Sequence, residues 1–150
     1  MQSIAKDLET VIEQHLPALK SLGESTLAHK PSPAKWSKKE TMGHMIDSAQ
    51  SNIRRFVVAQ YEENPLIVYN QDKWVAICNY QHWNSTELID LWYLLNRDIC
   101  EILKNISSET AHRQCRSPEL QTIKWLAEDY VKHLLHHLHQ VLELEPVSYP

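Results

Sequence analysis

The stretch "EENPLIVYNQDKWVAICNYQHWN", Glu62 to Asn84, decides how the rest of the chain must be arranged. Its 23 residues separate two strongly periodic segments, contain Pro65, Trp74, Tyr80 and Trp83, and keep no sustained helical period. Connections of that length are uncommon in compact domains unless they cross over or carry function. A crossover here makes the two flanking helices run parallel.

On its N-terminal side, Ser37-Lys38-Lys39-Glu40 forms a capping box: the hydroxyl accepts from an early backbone N–H and the glutamate reaches back. Helix two starts there and runs to about Tyr61. Further upstream, Ile4, Leu8, Val11, Ile12, Leu16 and Leu19 recur at helical spacing, which predicts a first helix from about residue 2 to about 28, kinked at Pro17. On the C-terminal side, Asn84-Ser85-Thr86-Glu87 offers a second cap, and Leu88, Leu91, Trp92, Leu95, Ile99 and Leu103 trace a third helix to about residue 106. Ser117-Pro118-Glu119 then reads as the start of helix four, with proline at the first helical position, and that helix runs to about Leu144. The sum is an all-α, four-helix bundle in one domain, residues 1–150, with a long crossover between helices two and three.

Composition agrees: two glycines in 150 residues, with helix formers plentiful, suit helices joined by distinct loops. Net charge is −4 and basic residues never cluster beyond pairs such as Arg54-Arg55, so the footprint of a nucleic-acid binder is missing. The N-terminus has no apolar targeting segment and no run approaches a membrane span, which leads us to expect a soluble cytoplasmic protein without a membrane partner. Cys78, Cys100 and Cys115 are widely spaced without a C-x-x-C, as ordinary thiols in a reducing compartment would be.

Chemistry concentrates in "DYVKHLLHHLHQ", Asp129 to Gln140, which holds four of the nine histidines. On a helical wheel His133 and His137 lie on or at the edge of the apolar face, while His136 and His139 point outward. His133 and His137, four apart, stack on one side of the helix and can offer two imidazoles to one ion. Spacing alone leaves two readings open, a metal pair and ordinary packed histidines. An open metal site ordinarily takes three protein ligands, and imidazole suits zinc, nickel or copper. If helices two and four are antiparallel, His44 lies at the same level of the bundle as His133 and His137. Its own helix complicates the matter: Met42, Met45, Ile46, Ala49, Ile53 and Phe56 form the apolar face, and His44 lies nearly opposite, on a stripe with Glu40, Asp47, Ser48, Ser51 and Arg55. Such a stripe suits a solvated face or the wall of a cleft. Residues 41–60 contain neither lysine nor glutamate, which favours the cleft.

"KWSKKETMGHMIDSAQSNIRRF" and "TIKWLAEDYVKHLLHHLHQV" together resemble the two ordered signatures of the DinB/YfiT-like superfamily; "YNQDKWV" and "LIDLWYLLNRDI" are similar to its crossover branch. The resemblance spans about residues 34 to 142. It implies a four-helix bundle of 1-2-4-3 order, often dimeric, with one divalent metal held by three histidines; by position these are His44, His133 and His137. It also implies thiol S-transfer with small cellular thiols, or metal-dependent hydrolysis, as the activity. We therefore expect zinc or nickel as the cofactor, a small-molecule substrate that includes a thiol, and a homodimer. Asp47 and Glu40 are the carboxylates expected to do acid–base work, with Asp72 a third candidate and Asp129 a partner for His133. Arg55 would attract an anionic thiol, and Trp74 and Tyr80 would close the cleft. The other class of function is a non-enzymatic, metal-stabilised dimeric bundle that binds partners.

Overall fold

A computed structural model describes residues 1–149. Helix α1, Gln2–Ser21, buries Ile4, Ala5, Leu8, Ile12 and Leu19. It runs through Pro17 and stops at Leu22, whose backbone is extended; a separate short helix α2, Glu24–Ala28, follows Gly23. The expected single helix to residue 28 is therefore two, broken at the glycine, which is among the poorest residues for a helix interior. Helix α3, Lys38–Val58, begins with the expected capping box, Ser37 accepting from the Glu40 N–H and Glu40 accepting from the Ser37 N–H. Helix α5, Ser85–Asn105, begins where Asn84 accepts from the Thr86 and Glu87 N–H groups.

Two regions depart from the sequence reading. The crossover contains a helix, α4, Gln71–Cys78, capped by Asn70 accepting from the Lys73 N–H at 2.9 Å and closed by left-handed Asn79. Among its residues only Val75 is buried, so eight residues with one anchor leave no periodic signature. A 3-10 turn, Tyr80–His82, completes the return. Helix α6, Ile123–Leu142, starts at Thr122, which accepts from the Trp125 N–H, and not at Ser117-Pro118. The residues before it form a hairpin of β1, Gln114–Arg116, and β2, Leu120–Thr122, with Cys115 opposite Gln121. Ser-Pro suits a turn as well as a helix start, and here the turn wins because Cys115 is buried and Arg116 bonds the Pro65 carbonyl.

Round the bundle α1 packs on α5 and α6, and α3 packs on the same two, so with α1, α3, α5 and α6 counted as bundle helices one to four the order is 1-4-2-3. This corrects the 1-2-4-3 order that the resemblance implied: α1 and α3 are diagonal because α2 and its flanking loops are long enough to carry the chain across the end. Directions follow the expectation. Tyr93 donates to Glu13 and Lys20 pairs with Asp90, making α1 and α5 antiparallel. His44 meets His133 and His137 while Phe56 meets Tyr130, making α3 and α6 antiparallel. The core holds Trp92, Phe56, Leu8 and Ile12, and Tyr130 donates across it to Asn96 at 2.6 Å.

The crossover does return to the His44 end. Ser37 donates to Gln81 at 2.6 Å, Gln81 donates to the Ala28 carbonyl at 2.7 Å, and the Tyr80 ring lies directly on Gly43. Among the described residues no helix is long and apolar enough to cross a membrane.

Candidate metal centre

The stripe on α3 is a covered wall. His44 is 2% exposed and Asp47, Ser48, Ser51 and Asn52 are all buried, because the crossover and α6 lie over them. His44 reaches α6 from this wall: its Nε2 lies 3.2 Å from His133 Nε2, which lies 3.0 Å from His137 Nε2. Candidate ligand atoms of the three all fall within 4.8 Å of one another. Nitrogens about 2.0–2.1 Å from one ion, at angles between a right angle and the tetrahedral value, stand about 2.9–3.4 Å apart, so these spacings fit a shared coordination sphere.

Electrostatics fit as well. Burial first, then the neighbouring imidazoles, pushes His44 down to about 4 and His133 down to about 3, and burial lowers His137. All three shifts favour the neutral imidazole, the form that coordinates metal. Trp36 packs on the His44 ring at 5.2 Å, and the second nitrogen of His44, Nδ1, is buried without a partner. The donor set of three imidazoles with no carboxylate among them suits a transition-metal ion such as zinc, nickel or copper and not magnesium or calcium.

Beside the trio lies a cavity of about 530 Å³. His133 faces it, with Ser48, Asn52, Arg55, Tyr69, Trp125, Asp129 and Tyr149. Arg55 donates through Nε and Nη2 to the Ile67 carbonyl and through Nη1 to Asn52 at 3.3 Å, and among the described residues it forms no ion pair. Asp129 accepts from the Tyr149 hydroxyl at 2.9 Å and does not bond His133.

The other sequence candidates fall elsewhere. Glu40 spends its carboxylate on the Ser37 N–H and on Lys30. Asp47 is fully buried under Tyr80, whose hydroxyl donates to Oδ1, while Oδ2 has no partner. Neither lines the cavity. Asp72 is exposed, as is the isolated His82 on the turn after α4, and Trp74 stands edge-on to Tyr69. Tyr149 carried no sequence signal at all: it reaches the site only because the chain after α6 folds back, setting its ring 5.3 Å from His133.

A pH dependence follows from these groups. Unfolded histidine titrates near 6.5, so His44 and His133, depressed when folded, contribute stability that is lost as pH falls from there toward about 4 and about 3. Asp47 has the opposite sign: burial raises it from 3.8 to about 6, so its contribution is full below the unfolded value and lost as pH rises through about 6. That difference corresponds to a contribution on the order of 3 kcal/mol. Asp47→Asn should therefore gain stability relative to the parent between about pH 4 and 6, as urea unfolding of metal-stripped protein would show. A difference independent of pH would contradict the buried placement of this carboxyl.

The chain belongs to the DinB superfamily, whose family model matches residues 7–141. Its fold is similar to that of YfiT from Bacillus subtilis, described as a probable metal-dependent hydrolase with an unusual four-helix bundle topology, at a TM-score of 0.82 and 22% identity over 94% of this chain and 83% of that one. At that identity the likeness is one of fold. No curated protein matches the chain.

Proposed function

We propose that this protein is a metal-dependent enzyme acting on a small molecule, with His44, His133 and His137 holding one zinc or nickel ion. The observation that carries the reading is the convergence of three imidazoles at the edge of a cavity large enough for a metabolite-sized substrate. When bound, such an ion supplies Lewis-acid chemistry, making a thiol or water nucleophilic at neutral pH or polarising the group under attack. Arg55, the cation that lines the cavity, binds an anionic group of the substrate. Asp129, held by Tyr149 on one oxygen, is the carboxylate placed to take a proton inside the cavity. Tyr69 and Trp125 exclude water.

Asp47 and Glu40 act at one remove. Glu40 fixes the start of α3 one turn before His44, and Asp47 anchors Tyr80 against Gly43. The family's link to thiol transfer and the description of YfiT as a hydrolase support these two reaction types, and the homodimer is part of the same proposal.

Zinc- or nickel-loaded protein should transfer a small thiol to an electrophile, or hydrolyse an ester or amide, and lose that activity by at least about a hundredfold in Arg55→Met through weaker substrate binding. Stoichiometric metal with neither activity would favour the non-enzymatic bundle instead. Sedimentation would report the dimer.

A further inference from the structure

The two outward histidines of α6 are not idle on the surface. After α6 the chain turns back at left-handed Glu143 and is held along the helix by His139, whose Nδ1 lies 2.6 Å from the Glu145 carbonyl, and by His136, whose Nδ1 lies 2.7 Å from the Val147 carbonyl. A carbonyl can only accept, so each of these nitrogens carries its proton.

For His136 the assignment propagates. A neutral imidazole protonated on Nδ1 presents a lone pair at Nε2, and the group 2.7 Å away is the Gln140 side-chain amide. The amide must therefore turn its NH₂ toward His136 and its oxygen toward His137 Nδ1, 2.9 Å away. That oxygen again can only accept, which places the His137 proton on Nδ1 and leaves Nε2 as a lone pair. Nε2 is the atom facing His133.

We propose that the Val147 carbonyl, His136 and Gln140 form a hydrogen-bond relay that holds His137 as its Nδ1–H tautomer, with Nε2 ready to coordinate. The inference rests on the reading of the histidine trio as a metal site. His136 and Gln140 are positioning residues; neither touches the ion. The partner of a ligating histidine's second nitrogen fixes tautomer and ring orientation, and its loss typically weakens metal binding 10–100-fold. Gln140 is exposed, so water competes for its bonds and the lower end of that range applies. His139 holds the same tail but has no bond to His137, which makes it the internal control.

The test begins without metal. Long-range proton–nitrogen correlation spectra of the stripped parent at pH 8 should show His137 as the Nδ1–H tautomer; the Nε2–H form there would overturn the relay outright. Gln140→Ala should release His137 toward Nε2–H and weaken zinc, measured by chelator competition, by about tenfold. His136→Ala should act in the same direction, and the double variant should be no weaker than Gln140→Ala, as links in series require. Gln140→Glu, which still accepts from Nδ1–H, should restore affinity, whereas His139→Ala should match the parent. Equal losses from His136→Ala and His139→Ala would assign the effect to tail docking and overturn the relay. If the parent shows the Nδ1–H form yet takes up no zinc, the metal reading fails while the relay stands.

Discussion

Replacing His44 with alanine is expected to remove nearly all of the zinc-dependent stabilisation of this protein. Metal that binds only the folded form adds RT ln(1 + [L]/Kd), about 4 kcal/mol when free zinc is a thousandfold above Kd. Two histidines one turn apart bind far more weakly than a closed set of three, and if affinity falls about a thousandfold the same zinc concentration leaves less than about 1 kcal/mol. His44 sits opposite the apolar face of its own helix, where an imidazole would normally be solvated. Instead it is 2% exposed, packed under Trp36, with Nε2 3.2 Å from His133 Nε2. Removing so buried a ring also changes baseline stability, so the zinc-dependent increment is the quantity to compare, with exposed His82→Ala as the reference. An increment in His44→Ala equal to the parent's would show that His133 and His137 bind without it.

Gly43→Ala is expected to destabilise the fold where helix propensity alone favours the change by about 1 kcal/mol. A Cβ at this position would stand far inside contact distance of Tyr80 Cδ2 and Cγ. Tyr80 has little room to retreat: it is buried, its hydroxyl is bonded to Asp47, and Trp83 packs on it at 5.2 Å. Overpacking of this kind costs roughly 1–3 kcal/mol, and here it would also lift the end of the crossover from the helix that carries His44. Truncating Tyr80 in the same chain should return part of the loss, since the two side chains compete for one space. A stabilising Gly43→Ala would mean that the crossover does not lie on α3.

Elements with a long apolar period were legible in the sequence: α3, α5 and most of α6 were each marked by repeated large side chains, two of them with a side-chain cap that the structure retains. So was the site's outline, because a polar stripe with neither lysine nor glutamate beyond Glu40 at its start is a poor surface, and His44, His133 and His137 share a level. Elements with few anchors were not. Helix α4 buries only Val75, and the hairpin strands are three residues each, too short for alternation to register. The order of helices round the bundle depends on how far a loop can carry the chain, which no periodicity records. Nor could a wheel reveal what His136 and His139 do, since outward residues look alike whether they face water or a returning tail. The carboxylates show the same limit: Asp47 and Glu40 were near His44 in sequence, but the cavity receives Asp129 from the other helix.

The central claim is that His44, His133 and His137 hold a metal ion, and its most direct test is the metal content of protein prepared without an affinity tag. We expect close to one zinc or nickel per chain, or uptake of one equivalent of zinc by stripped protein. Less than about a tenth of an equivalent, with no zinc uptake by the stripped protein, would contradict the claim and leave three neutral imidazoles packed together without an ion.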